Sequence, residues 1–282
     1  MICFRSIGYL GRLGNQMFQF ASSVGIARKN SYEVFFPVEN CSRFSGEGPV
    51  DPKTGTMIEV KCDILDCFEV PNGYFKSMIE IRPRSIYYEG DFKFNPQVLS
   101  LPLDTDLYGY FQDERYFRDI KQEILSCFQF KEEHSKRAKD YWEREVSPYL
   151  ENKKPVSLHV RRGDYTVYPD HHPTCSGQYY LSAIQRLGRE DHKFLVFSDD
   201  VEWCLREFSS PEFIVIDSGS PYSDLKMMTD CDHHIIANSS YSWWGAWLNQ
   251  KPGKRVFAPS RWFGPAINKD ASQIYCEGWE II

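Results

Sequence analysis

Val156-Ser157-Leu158-His159-Val160-Arg161-Arg162-Gly163-Asp164-Tyr165 is the stretch from which the fold can be read. Val156, Leu158 and Val160 form a short apolar, β-branched run that reads as a buried strand. His159, Arg161, Arg162 and Asp164 crowd the point where that strand should end. In an open α/β sheet, ligands gather at the carboxyl ends of the strands. Two adjacent guanidinium groups there present fixed forks of N–H donors that match the paired oxygens of a diphosphate. Gly163 lets the backbone turn sharply or approach a ligand. A surface Arg–Asp ion pair is the alternative for an isolated Arg-Arg. The histidine inside the strand and the aspartate two residues past the second arginine favour an anion site.

Outward from this stretch, strand-like and helix-like patterns alternate. A helix carries Tyr180, Ala183, Ile184 and Leu187 on one face; strands follow at Phe194 to Phe197, Phe213 to Ile216, His234 to Ala237 and Arg255 to Ala258. Apolar runs separated by helical ones imply βαβ units and a parallel sheet, hence an α/β fold. Arg161, Ser198, Asp217 and Asn238 each follow such a run, so a parallel sheet brings them to one edge. Helix caps also favour Ser, Asp and Asn. Asp199, with Glu202 three residues on, suggests a capped helix start.

Toward the amino terminus, Ile2 to Ile7 reads as a strand running into Gly8, Gly11 and Gly14. A helix follows with Met17, Phe20, Ala21, Val24 and Ala27 on one face. Strand, glycine-rich loop and helix point backbone N–H groups at an anion, although these glycines match neither a dinucleotide nor a P-loop fingerprint. Asn15 and Gln16 at the helix start either cap it or touch a ligand. Further strands are expected at Glu33 to Pro37 and Leu107 to Phe111, with a helix from Glu114 through Phe128. A polar helix spans His134 to Glu145, and Pro148 through Pro155 has a linker's composition. Residues 40 to 75 show no clear period.

The 282 residues suffice for about two domains. Charged residues at 26% and hydrophobic ones at 42% fit an ordinary soluble globular protein. A net charge of −6 argues against a general nucleic-acid binder, which needs a basic face. No signal-peptide layout opens the chain, and no charge-free run reaches the ~18 residues of a spanning helix. A cytoplasmic protein, or one loosely attached to a membrane face, is expected. Nine scattered cysteines fit free thiols in a reducing compartment.

Asn238-Ser239-Ser240 before an apolar helix offers hydroxyls and N–H groups at a helix start, a phosphate cradle in type or an ordinary N-cap. Trp243, Trp244 and Trp247 face one side of that helix and fit core packing. Asp224 either caps its own helix or accepts N–H donors such as those of a guanine. Asp199-Asp200 could hold Mg²⁺, but one is placed to cap a helix and the arginines already supply positive charge. His171-His172 and His233-His234 are adjacent pairs rather than i, i+4 ligands. No bound metal is expected.

Four motifs in order carry a family likeness: Gly11-Arg12-Leu13-Gly14-Asn15-Gln16-Met17-Phe18-Gln19, Gly109-Tyr110-Phe111-Gln112, His159-Val160-Arg161-Arg162-Gly163-Asp164-Tyr165 and Asn238-Ser239-Ser240-Tyr241-Ser242-Trp243-Trp244-Gly245. Together they resemble the α-1,2-fucosyltransferases of glycosyltransferase family 11. The arginine motif is shared more loosely with α-1,6- and protein O-fucosyltransferases. The resemblance implies a GT-B arrangement, two Rossmann-like domains with parallel sheets facing a central cleft. Residues 1–150 would be mainly acceptor-side and 151–282 would bind the donor, GDP-L-fucose. It implies inverting, metal-independent transfer, with no cofactor, to the 2-hydroxyl of a terminal galactoside. The acceptor would be an oligosaccharide or lipid-linked glycan of surface polysaccharide or O-antigen synthesis. Arg161 would meet the β-phosphate with Arg162 in support, and His159 and Asp224 the guanine or ribose. Asn238, Ser239 and Ser240 would bind phosphate, with Gly14 and Asn15 contributing from the first domain. The lack of an N-terminal anchor resembles bacterial members acting on the cytoplasmic side. Asp164 is the first candidate for a general base, or else a lock on an arginine; Asp170 and Glu114 follow. Residues 40 to 75 are expected to bear on acceptor choice. The alternatives are a fucosyltransferase of another linkage and a non-catalytic sugar-nucleotide or glycan-binding protein.

Overall fold

The computed structural model describes residues 1–42, 44–45, 60–267 and 269–282. Two compact units divide the chain: Met1–Lys131 with Asp270–Ile274, and Glu132–Lys269 with Tyr275–Ile282. The division falls between Lys131 and Glu132, ahead of the Pro-flanked connection expected near 150. The cause is the polar helix Glu132–Tyr141, which packs against the helix Pro221–Asp230 of the second unit. Arg137 Nε and Nη2 donate to the Ser218 carbonyl at 3.0 and 2.5 Å. The Asp217 N–H donates to Tyr141 Oη at 3.0 Å.

In chain order, the first unit holds strands β1 (Ile2–Cys3), β2 (Val34–Pro37), β3 (Phe44–Ser45), β4 (Val60–Lys61), β5 (Phe75–Lys76), β6 (Ser85–Tyr88) and β7 (Thr105–Tyr108). The second holds β8 (Lys154–Val160), β9 (His192–Ser198), β10 (Phe213–Val215), β11 (His233–Ile235), β12 (Val256–Ala258) and β13 (Glu280–Ile281).

The second unit's sheet runs β10–β9–β8–β11–β12–β13, parallel throughout. Counted from β8, this is the doubly wound order 3-2-1-4-5-6. Each β8 residue from Val156 to Val160 is buried, as expected of a strand covered on both faces. The helix Gly177–Leu187 begins where Ser176 Oγ accepts the Tyr179 N–H. It buries Tyr180, Ala183 and Ile184 in the same core as Val156, Leu158 and Val160. Trp243, Trp244 and Trp247 are buried core residues of the helix Ser240–Leu248, as their spacing suggested.

The first unit's main sheet, β5–β2–β1–β7–β6, is parallel and doubly wound too, and β3–β4 form a small antiparallel pair. The expected strand Ile2 to Ile7 is pared to Ile2–Cys3, because the chain already turns through Ser6 to Gly11. Gly11 has φ +79°, and a Cβ there would lie 2.1 Å from the Asn15 amide, so only glycine fits this approach. The helix Leu13–Lys29 is buried on nearly every face, including Gln16, Gln19, Ser22 and Ser23. The expected continuous helix from Glu114 is broken into 3₁₀ turns Glu114–Tyr116 and Arg118–Ile120, followed by the helix Lys121–Cys127. Within the stretch expected to bear on acceptor choice, residues 43 and 46–59 lie outside the described residues. All nine cysteines are thiols. Among the described residues no helix is long and apolar enough to cross a membrane.

Candidate active site

The topological switch point of the second sheet lies between β8 and β11, where the winding reverses; open α/β sheets generally bind ligands at the carboxyl ends there. Arg161 and Arg162 leave β8 at this point; Asn238, Ser239 and Ser240 follow β11. The Tyr165 hydroxyl donates to the Asn238 carbonyl at 3.0 Å, tying the two loops together. The structure therefore gathers the arginine motif and the Asn-Ser-Ser motif at one edge, as the strand order requires.

Arg161 is held between two carboxylates. Its Nη2 donates to Asp164 Oδ1, and its Nη1 pairs with Asp199 Oδ2 at 2.6 Å. The guanidinium also lies 5.1 Å from the Tyr165 ring centre. Arg162 Nε pairs with Asp200 Oδ2 at 3.0 Å, and its guanidinium lies 4.0 Å from the Trp203 ring centre. Asp199 Oδ1 accepts the Arg162 backbone N–H at 2.8 Å. Gly163 explains its place in the motif: a Cβ would sit 2.4 Å from Asp199 Oδ2, so the loop closes on that carboxylate only without a side chain. Asp199 is the residue that sequence reasoning missed as an arginine partner. Its signal is β9's register beside β8, with Ser198 opposite Val160, which periodicity alone does not give. Asp200, rather than Asp199, caps the helix Val201–Glu207 by accepting the Trp203 N–H at 3.2 Å.

His159 is buried in β8, with Nδ1 2.9 Å from Ser242 Oγ. Burial, and secondarily the Arg161 charge, pushes its pKa down to about 3, so the ring is neutral throughout the physiological range. The Asn238 side chain is engaged within the fold. Its amide hydrogens go to the carbonyls of Pro173 and Trp262, each at 2.9 Å, and its Oδ1 faces the Cys175 thiol at 3.5 Å. Its side chain straps three segments together. Ser239 stands in extended backbone before the helix Ser240–Leu248, and its side chain caps no helical N–H. The first-turn N–H groups of a helix have no acceptor within the helix and favour an anion.

Asp224 lies on the first turn of Pro221–Asp230 and accepts the Ser218 hydroxyl at 2.6 Å. Burial raises its pKa to about 6, against the lowering by that hydrogen bond; Asp217 adds to the rise and Arg137 opposes it. Arg137 sits on a polar helix with no motif to announce it. The Tyr241 hydroxyl donates to the Pro221 carbonyl, joining this helix start to the Asn-Ser-Ser motif.

Gly14 and Asn15 belong to the first unit, at that sheet's own switch point between β1 and β7. Gln112 Nε2 donates to Asn15 Oδ1 at 2.6 Å. Gln19 Nε2 donates to the carbonyls of Leu10 and Gly109 at 2.9 and 3.2 Å, and Ser22 Oγ to that of Phe111 at 2.9 Å. The first two sequence motifs thus form one hydrogen-bonded cluster. Among the described residues, no group of three His, Cys, Asp or Glu side chains is arranged to hold a metal ion.

A family model described as glycosyl transferase family 11 matches residues 92–282. The chain is 33% identical to an α-1,2-colitosyltransferase of Escherichia coli, over 90% of each chain. It is 34% identical to the O-antigen biosynthesis glycosyltransferase WbnK of Escherichia coli over 61% of this chain, spanning 59% of that protein. Bos taurus galactoside 2-α-L-fucosyltransferase SEC1 is 26% identical over 86% of this chain and 64% of its own. The crystal structure of POFUT1 in complex with GDP-fucose shares the fold, with a TM-score of 0.50 at 14% identity, over 91% of this chain and 97% of that one. A doubly wound sheet with an arginine pair at its switch point, and relatives aligned along nearly the full chain, lead to one family. The chain belongs to glycosyl transferase family 11.

Proposed function

We propose that the protein transfers L-fucose from GDP-β-L-fucose to the 2-hydroxyl of a terminal galactoside, forming an α-1,2 linkage with inversion. The observation that carries this reading is the arginine pair at the second sheet's switch point, in a unit that also offers a helix start bearing Ser239 and Ser240 and a guanine-type acceptor in Asp224. The α-1,2 linkage follows the names of the colitosyl and fucosyl relatives, and WbnK favours an O-antigen acceptor.

As the fucose C1–O bond breaks, negative charge grows on the β-phosphate and positive charge on the sugar ring. A preorganised cation at the phosphate stabilises that state more than the ground state. Arg161 takes this role, with Arg162 holding the loop through Asp200. Asp199 fixes Arg161, and Asp164 occupies its other terminal nitrogen, a lock that the incoming diphosphate competes with. The acceptor hydroxyl attacks from the face opposite the departing GDP. The first unit is assigned to the acceptor and the second to the donor, at the cytoplasmic face where lipid-linked glycans are built.

Incubation with GDP-fucose and a β-galactoside, followed by linkage analysis, tests the proposal. Released GDP and an α-1,2-fucosylated product are expected, and undiminished turnover in EDTA agrees with the arginines replacing a metal. GDP binding without turnover, or a different linkage, refutes it. A second donor is favoured by the relative aligned over 90% of both chains, which is named for colitose. Colitose lacks the 3-hydroxyl of fucose, so the ratio of kcat/KM for the two GDP-sugars decides between them.

A further inference from the structure

Parallel sheets are ordinarily covered on both faces, yet among the described residues the outer part of the first unit's β6–β7 edge leaves three large apolar side chains exposed on one face, where only Asp106 is buried, accepting the Arg5 N–H at 2.9 Å. Tyr87 and Leu107, register partners, serve the covered face. Leu107 is fully buried, and the Tyr87 hydroxyl accepts from Asn95 Nδ2 at 3.1 Å. On the opposite face Ile86 is 51% exposed, Tyr88 64% and Tyr108 42%. Tyr88 and Tyr108 are register partners with ring centres 5.4 Å apart. Both end their strands at the carboxyl edge. In the loops that leave them, Phe92 and Tyr110 stack at 5.6 Å and 22°.

We propose that these aromatic residues at the carboxyl ends of β6 and β7 form a pyranose-binding subsite for the acceptor glycan. Aromatic faces bind the C–H face of a galactopyranose while remaining wetted at the phenol, a combination suited to an amphipathic sugar ring. Position supports the same occupant. Tyr108 leads directly into Gly109–Gln112, whose backbone is pinned by Glu89 through the N–H groups of Tyr110 and Phe111 at 2.6 and 2.9 Å. Along the chain the subsite therefore leads directly to Gln112, the partner of Asn15 in the same unit. Charge narrows the choice further. Glu89 and Asp91 follow Tyr88, an acidic flank that disfavours anionic lipid; with Glu89 held by the backbone, the exposed Asp91 is the carboxylate acceptor it offers to sugar hydroxyls. The inference rests on the acceptor being a galactoside, as proposed above.

The test uses lactose as the probe with GDP present, on the wild type and a Tyr88→Ala/Tyr108→Ala double variant. Both side chains are exposed, so the fold, checked by Tm, is retained. Saturation-transfer NMR is expected to show saturable lactose binding by the wild type, weakened at least about tenfold in the variant, with GDP affinity unchanged. Equal lactose binding by the two proteins overturns the proposal, as does no saturable binding by the wild type. Loss of self-association or of vesicle binding in the variant, with lactose binding intact, assigns the face to a second copy or a membrane and overturns it too. Turnover of GDP-fucose separates the two readings. If the wild type transfers fucose and the variant keeps its KM for lactose, the subsite falls and the function stands. If the wild type binds lactose through these tyrosines but transfers no fucose, the function falls and the subsite stands.

Discussion

Replacing Asp164 by Asn separates its two possible roles. Its carboxylate sits on Arg161, on the turn Gly163–Thr166, and its side chain is 44% exposed. Asp199 holds the other terminal nitrogen of the same guanidinium at 2.6 Å. One cation thus carries two anions before any diphosphate arrives. Removing the Asp164 charge relieves about 1–2 kcal/mol of repulsion against a nearby diphosphate in a partly solvated setting. It also forfeits about 0.2–1 kcal/mol of arginine positioning, typical of an exposed pair. The net is about 1 kcal/mol, or roughly fivefold tighter GDP binding by calorimetry at low salt, with kcat within a few-fold of wild type. A general base behaves otherwise, because its loss lowers turnover at saturating substrate by about 10²–10⁴-fold. A drop of that size with unchanged GDP affinity would refute the lock and restore Asp164 as the base.

Gly163→Ala places a Cβ against the Asp199 carboxylate, 2.4 Å away in the present backbone, and so shifts the group that fixes Arg161. A misplacement near 1 Å commonly costs about 10²-fold in rate. Steady-state kinetics are expected to show that loss in kcat/KM with Tm nearly unchanged, and a fully active variant would contradict it. As the proposed guanine acceptor, Asp224, with its pKa raised to about 6 by burial, can take a pair of N–H donors only when ionised, because the neutral carboxyl turns one oxygen into a donor. Below that pH the carboxyl is mostly neutral, so guanosine binding weakens as pH falls, by about tenfold between pH 7.5 and 5. Asp224→Asn removes that dependence, and a wild-type affinity flat across this range contradicts the assignment.

Much of the second unit is legible because its strands are short buried runs separated by helices, and because four polar residues fall at their ends. The strand order was not legible, because parallel pairing alone fixes neither the neighbours nor the point where the winding reverses. β6 escaped because Ser85-Ile86-Tyr87-Tyr88 is an exposed edge without polar–apolar alternation, and β13 because two residues carry no period. The unit boundary shifted because Glu132–Tyr141 is too polar to advertise its packing partner, which lies some eighty residues away in the chain (roughly the reach of two βα crossovers). Asp164 was visible as an arginine partner from its position three residues on. Asp199 was not, since pairing with it depends on the register of β9 against β8. The strapping role of the Asn238 side chain was not legible, because an amide that suits a phosphate suits two backbone carbonyls equally well.

Arg161→Ala tests the central claim most directly. With Tm confirming the fold, initial rates of GDP release from GDP-fucose in the presence of a β-galactoside are compared with wild type. The account predicts a fall in kcat/KM of about 10²–10³-fold or more, the scale of losing one preorganised group on developing charge. A folded variant with wild-type-like turnover would contradict it.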